Sequence, residues 1–445
     1  MTASTAARIV IAGGGFGGLA VARDLEAALP PGTAQVTLVN EHNFMLYTPF
    51  MGAVAGGSLD PRHIAFPLRE ELPRTRVRLA RVEGGDPEQR LLNVRDPQGE
   101  PDVLAYDHLV VCLGFVSRTP EVPGLVEHGL GFKTLAEAVA LRDRLLRTLE
   151  RAETIEDPDE RASYLSFVVV GAGYAGLAAL AEMQAFAADV VQLYPRCQEQ
   201  GMRWFLVNSR ERMISDVPER LARFAEEKLR ERGVEIVAQT RVVEVAPDGV
   251  RLASGAAIAT RTVVWTAGVA PTPVVRRLGL PLDRGGRIVV DECMRVDGHP
   301  GIWALGDAAA VPDPARPGEA CPPSRQHAVR QAHQMAANLT AATTASGPPG
   351  PFTYRTRGVF VDLGRFSAVA VLLRLRMSGF PAWLLTRGYH LKQVPGPRRK
   401  ISLISDWIVD LFDRDTTELG EVGHPITAPA GMDALEPGRP ERPAA

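Results

Sequence analysis

Lysine is almost missing from this chain. Only four of its 50 basic residues are lysine, Lys133, Lys228, Lys392 and Lys400, a bias of coding. The net charge is −2, so there is no charge excess of the kind that nucleic-acid phosphates demand, and no nucleic-acid partner is expected. Cysteine is equally scarce. Cys112, Cys197, Cys293 and Cys321 stand far apart with no CxxC or CxxxxC pair. That argues against a zinc site or a local redox disulfide and leaves each as a small apolar residue, with no metal expected. Long apolar runs are missing too, because the one near Leu372–Leu375 is broken by Arg374 and Arg376. A span needs about 20 such residues. No charged-then-apolar leader precedes the strand that starts at Arg8, so secretion is not expected.

What remains is a chain of 445 residues, 45% hydrophobic and 23% charged, which reads as globular with two or three domains. β and α patterns alternate from Arg8 onward, which implies parallel sheets with helices on their faces. Two stretches repeat one pattern of buried strand, glycine turn and helix start: RIVIAGGGFGGLAVARDL (Arg8 to Leu25) and FVVVGAGYAGLAALAEM (Phe167 to Met183). In such a turn the first glycine permits the bend, the second admits a pyrophosphate to the backbone, and the third lets helix and strand pack closely. Gly13, Gly15 and Gly18 take those places first, and Gly171, Gly173 and Gly176 second. The helix N-terminus then offers free N–H groups and positive potential to the phosphates.

A ribose-binding acid is expected at the end of the next strand. VTLVNEHNF puts Glu41 there in the first unit. In the second, RWFLVNSRERM puts Asn208 at that place, followed by Ser209 and Arg210. Loss of the acid beside an arginine accommodates a 2′-phosphate, whereas solvent-facing residues at a strand end would look the same, and both readings stay open. LVVCLGFVSRTPEVPG and VVWTAGVAPTPVVRRLG, with breaks at Gly114 and Gly268, echo each other. The simplest account is an internal repeat of two dinucleotide-binding units. Thr134 and Glu137 have the spacing of a capping box.

Near the C-terminus Ile401, Ile404, Trp407, Ile408, Leu411 and Phe412 fall on one helical face behind Arg398, Arg399 and Lys400. That helix rises about 20 Å, short of a hydrocarbon core of about 30 Å. It reads either as an amphipathic element lying on a membrane or as packing on the chain's own core or a second subunit.

The ordered set GGGFGGLAVARDL, NEHNFMLYTPFMGAVAGGSLDP, VVCLGFVSRTPEVPG, GAGYAGL, WTAGV, GIWALGDAAAVPD and PPSRQHAVRQA resembles the type II NADH dehydrogenase family, single-subunit NAD(P)H:quinone oxidoreductases, from about Arg8 to Pro425. The resemblance implies an α/β fold with two tandem Rossmann-like domains and a C-terminal membrane-associating region. The FAD domain would be discontinuous, 7–125 and 286–345, with an NAD(P)H domain at 126–285. Residues 350–425 would carry the membrane-surface helix and 426–445 a disordered tail.

It implies FAD at Gly13, Gly15, Phe16, Gly17 and Gly18, with Asp307 of the Gly306-Asp307 pair on the ribityl chain. Thr48 and Pro49 would lie beside the isoalloxazine and Val82 at the adenine, and Gly114 belongs to the same set. NADH or NADPH would lie at Gly171, Gly173, Tyr174, Ala175, Gly176, Asn208, Ser209, Arg210 and Gly268. The family's quinone-entrance motif would fall at Arg325, Gln326, Ala328 and Arg330, with Gln326 and Arg330 as the candidate catalytic residues. His327 and His333 are expected on the surface of the same helix.

Arg325 and Arg330 depart from that motif, and Ala178 stands where the family carries a glutamate. The FAD half is complete and the nicotinamide half altered, so two functions remain. One is an oxidoreductase passing hydride from NAD(P)H to flavin and electrons to a membrane quinone, peripheral to the cytoplasmic face of the cell membrane. The other is a flavin-binding protein of the same fold with weak or lost dehydrogenase activity and a binding or regulatory role. Sulfide:quinone reductases share the fold but need cysteines at the flavin, and only Cys321 is a candidate. Homodimerisation is left open.

Overall fold

The computed structural model describes residues 6–118, 120–214, 217–354, 358–372, 375–412 and 415–418. The expected tail, 426–445, lies outside them.

Two five-stranded parallel sheets carry the molecule. The first runs Ile302–Ala304, His108–Val111, Ala7–Ala12, Ala34–Asn40, Arg76–Leu79 in spatial order. The second runs Gly129–Gly131, Thr262–Trp265, Ser166–Val170, Arg203–Val207, Val234–Val237. Strands of this kind are covered by helices on both faces and read as unbroken apolar runs; Ser166–Val170 is buried at every residue. Each sheet is followed by a three-stranded antiparallel meander, Arg81–Asp86, Leu91–Arg95, Pro101–Ala105 in the first half and Val242–Ala246, Gly249–Leu252, Ala257–Ala259 in the second. The internal repeat is therefore a repeat of topology. The first unit is discontinuous, because its edge strand Ile302–Ala304 arrives only after the whole second sheet.

The two echo segments meet each other. Phe115–Ser117 pairs antiparallel with Val269–Pro271, just beyond Gly114 (φ +69°) and Gly268 (φ +81°). The halves also touch where the helix Met51–Ala55 crosses the helix Tyr174–Val190. A Cβ at Gly52 would lie 3.1 Å from the Ala178 carbonyl oxygen. Ala178 is thus a packing residue at this crossing. The helix Leu135–Thr154 starts with the expected capping box of Thr134 and Glu137.

The third layer is an antiparallel sheet of Gly358–Asp362, Ala368–Leu372 and Leu375–Gly379, then the helices Phe380–Gln393 and Pro397–Val409. The last helix divides the face expected from its sequence. Ile401, Ile404 and Ile408 point to solvent, joined by Leu411 and Phe412 beyond the helix end, while Leu403 is fully buried and Trp407 packs on Phe50 at 5.9 Å. Arg399 is not available to lipid either, since its guanidinium binds Glu70 and Glu71, each at 2.8 Å. Asp406 further anchors the helix to His63 Nδ1 at 2.6 Å.

Candidate active site

The first glycine turn lies between strand Ala7–Ala12 and helix Phe16–Ala28, and each glycine has a separate reason. Gly13 has φ +111°, and a Cβ there would lie 2.5 Å from the Cys112 carbonyl oxygen. A Cβ at Gly18 would collide with the Gly13 carbonyl, and one at Gly17 would lie 2.5 Å from Leu305 Cδ1. Gly15 differs, having no atom within 4 Å of its Cβ position. Packing does not require a glycine there; close approach by an outside group does. Gly15 caps its helix with no side-chain hydrogen bond, and the first turn holds no acid, so the N–H groups are left for an anion. The second turn repeats the plan: Gly171 has φ +109°, Gly176 is blocked by the Gly171 carbonyl, and Gly173 is open. Tyr174 and Ala175 stand exposed at its helix N-terminus.

Asp307 comes to the first turn on the edge strand, in the short turn Gly306–Ala308. Burial pushes its carboxyl above the ordinary range, with Lys133 opposing. No hydrogen bond from the described residues reaches the carboxylate. An open cradle, a bare helix N-terminus and an acceptor without donors fit FAD, the pyrophosphate at the turn and a ribityl hydroxyl donating to Asp307. Val82 is buried at the start of its meander, so only its backbone is offered. Beside it Glu41 is exposed and pairs with Arg81 at 3.4 Å.

The strand-end acid of the second half needs a correction of one position. Gly13 N–H donates to Val39 O and Gly171 N–H to Val207 O, both at 2.9 Å. That common register matches Asn40 with Asn208, and hence Glu41 with Ser209. Asn208 is buried and donates to the Arg210 carbonyl at 2.8 Å, so it shapes its own loop; Ser209 and Arg210 are the exposed pair.

The helix Arg325–Thr344 also differs from expectation. Gln326 spends both ends of its amide, donating to Gly358 O at 3.0 Å and accepting from Tyr354 Oη at 3.2 Å. It ties the third layer to the helix and is not left for chemistry. Arg330 is exposed and lies over the Tyr354 ring, 5.5 Å from its centroid, away from the face that meets the first turn. That face carries Ala328, beside Gly306 and Gly17, and Gln331, whose Oε1 accepts the Gly306 N–H at 2.8 Å. Gln331 was missed, although it follows Ala328 at the i+3 spacing that defines one helical face. His333 is half exposed and pairs with Asp24, whereas His327 is buried with Nδ1 2.8 Å from Ser324 Oγ.

Thr48 and Pro49 open the short turn Thr48–Phe50, and the preceding Tyr47 is fully buried, its ring 5.6 Å from that of Phe16 in the first helix. Its hydroxyl lies 3.1 Å from His390 Nδ1, a partner 343 residues away that no local pattern announces. Arg325 is boxed by the rings of Phe16, Tyr47 and Tyr389 at 5.5, 5.5 and 5.7 Å. Burial, with Arg325 and Arg387 adding to it, pulls His390 down to about 3, so its imidazole is neutral at physiological pH and the fixed positive charge of the cluster is Arg325.

Residues 7–335 match the pyridine nucleotide-disulphide oxidoreductase family. The type II NADH:quinone oxidoreductase Ndh of Mycobacterium tuberculosis is 30% identical over 416 residues, covering 90% of this chain and 87% of that one. The chain belongs to the type II NADH dehydrogenase family. The demethylphylloquinone reductase NdbB of Synechocystis sp. is also 30% identical, over 90% of this chain and 95% of that one. The fold matches that of NDH2 from Plasmodium falciparum in complex with NADH, with a TM-score of 0.85 and 16% identity over 92% of this chain and 99% of that chain.

Two outcomes follow from this geometry. Gly15→Ala leaves stability within about 0.5 kcal/mol, because its extended backbone (φ −75°, ψ −161°) suits alanine, but emerges with little FAD. Gly18→Ala loses about 1–3 kcal/mol, because its obstacle is backbone; chemical unfolding and flavin absorbance read both. His390 titrates at 6.5 when unfolded and about 3 when folded. The stability it contributes is therefore complete above pH 6.5 and is lost as pH falls towards 3. His390→Gln flattens that part of the unfolding-versus-pH curve.

Proposed function

We propose that the chain is an FAD-dependent NAD(P)H:quinone oxidoreductase working as a peripheral protein at the cytoplasmic face of the cell membrane. The observation that carries this is the doubled open cradle. Gly15 and Gly173 are the turn glycines with free approach, and the strands leading out of the two sheets are hydrogen-bonded to each other. One dinucleotide in each turn brings two redox rings towards that shared seam. FAD, when bound, supplies the chemistry, taking hydride from the nicotinamide and passing electrons to the quinone.

The chain binds and orients. Backbone N–H groups at Gly15 and Phe16 hold the flavin pyrophosphate, and Asp307 accepts a ribityl hydroxyl. The turn at Gly173 receives the nicotinamide dinucleotide. Thr48 and Pro49 border the ring site, while Tyr47, His390 and the Arg325 box seal it on the side of the C-terminal helices. Both donors are accommodated: Ser209 takes the place of a ribose acid, and Arg210 is next to it, the arrangement that tolerates a 2′-phosphate.

Membrane contact rests on Ile401, Ile404 and Ile408 with Leu411 and Phe412, exposed together at the C-terminal helix and its end. Leu384 and Phe380 extend the surface from the preceding helix. No helix among the described residues is long and apolar enough to cross a membrane. An exposed apolar face of this size suits an interfacial element.

In anaerobic stopped-flow, NADH and NADPH both bleach the flavin, and Arg210→Ala weakens NADPH more than NADH. A flavin-loaded protein that neither donor bleaches would support the alternative of a binding protein, for which Ala178 in place of glutamate speaks. In co-sedimentation with vesicles, Ile401→Asp/Ile408→Asp leaves the protein in the supernatant; undiminished pelleting would remove these residues from the membrane contact.

A further inference from the structure

The face of the helix Arg325–Thr344 that meets the first cradle begins with a charge. Ala328 and Gln331 lie on that face beside Gly306, and Arg325 precedes Ala328 by the three residues that keep a side chain on one face. Its guanidinium carbon is 5.5 Å from the ring centroid of Phe16, the first residue of the cradle helix. It is equally far from the ring of Tyr47, which leads into Thr48 and Pro49. Arg325 therefore stands between the pyrophosphate turn and the place given to the flavin ring.

The charge is half-buried and lacks a counter-ion. Among the described residues no carboxylate pairs with Arg325, and its Nη2 donates to Tyr389 Oη at 3.3 Å. Other arginines of the third layer are paired: Arg365 with Asp189, Arg387 with Glu182, Arg399 with Glu70 and Glu71. The first turn of its helix holds no acid, so the positive end of the helix adds to the guanidinium. Nearby ionisable groups bring no negative charge, since His390 is neutral and burial pushes the Tyr47 hydroxyl up. Asp307, across the cradle, is itself pushed towards its neutral form.

A leucine or methionine would fill a box of rings without the cost of desolvating a cation, so the charge, not the bulk, needs a reason. The pyrophosphate does not supply one, because the bare N–H groups at Gly15 and Phe16 already receive it. A neutral quinone carries no charge to balance. The isoalloxazine does: taking two electrons and one proton leaves one negative charge along its N1–C2=O edge.

Resting on the FAD reading above, we propose that Arg325 is the residue that balances the charge of the reduced flavin ring. It holds that ring as the anion and makes bound FAD a stronger electron acceptor.

The midpoint potential of the bound flavin, measured anaerobically against a reference dye, tests this without turnover. In Arg325→Gln the preference for reduced over oxidised flavin falls about ten- to a hundredfold, a potential about 30 to 60 mV more negative. Arg325→Lys keeps the charge and stays within about threefold of the parent. A potential unchanged in Arg325→Gln overturns the proposal, and so does a fall in Arg325→Lys as large as that in Arg325→Gln, which would assign the effect to the shape of the box. The parent alone gives a second measurement. One proton per two electrons is a tenfold change per pH unit, a slope of about 30 mV; twice that slope across the neutral range would mean a neutral reduced ring and would also overturn it. A protein that stays colourless in added FAD would instead defeat the function on which this inference rests, whereas a yellow Arg325→Gln at the parent's potential defeats this inference alone.

Discussion

The contact between a helix's first turn and the carbonyl that ends its strand governs this molecule. At Gly18 and at Gly176 a side chain would run into the carbonyl of Gly13 or Gly171. Closing that gap sets the helix close over the strand and directs its N-terminus at a space which Gly15 or Gly173 leaves clear. The chain does this twice on sheets that share one order in four of their five strands, then hydrogen-bonds the outgoing strands together. Binding and relative placement of two dinucleotides thus come from one device used in duplicate. Asp307 adds an acidic group to the first cradle, and it can do so only because the chain returns to lay Ile302–Ala304 on the first sheet.

The two cradles part company at the strand ends. In the first half Asn40 accepts the Gly14 N–H at 2.8 Å and steadies the turn, with Glu41 next to it. In the second, the matching asparagine donates to the carbonyl two residues on, as Asn40 does to His42, but a serine follows it. The loss of a carboxylate, not the loss of a fold, separates them. Ala178 belongs to the same half, yet its setting against Gly52 shows the close helix crossing that joins the halves.

Features fixed by neighbours in sequence were legible without a structure. The glycine spacing, the capping box at Thr134 and the alternation of strands and helices all depend on contacts within a few residues. Features fixed by distant partners were not. Gln326 and Arg330 sit in a motif that points to the ring, but strand Gly358–Asp362 and Tyr354 occupy their side chains. The partnership of Tyr47 with His390 spans 343 residues. The place of the ribose acid was put at Asn208, one position before Ser209, because only the register of strand and turn tells which residues of the two halves match. At the last helix the apolar pattern was real, but two surfaces share it: Leu403 and Trp407 turn inward while the isoleucines turn out. Its basic start is partly consumed by Glu70 and Glu71.

The central claim is a division of labour, flavin in the first cradle and nicotinamide in the second. Gly173→Val tests it most directly, because the position is open and the substitution fills only the second approach. The account predicts a yellow protein that dithionite reduces normally and that neither NADH nor NADPH bleaches. A colourless protein, or one still bleached at the parent's rate, would contradict it.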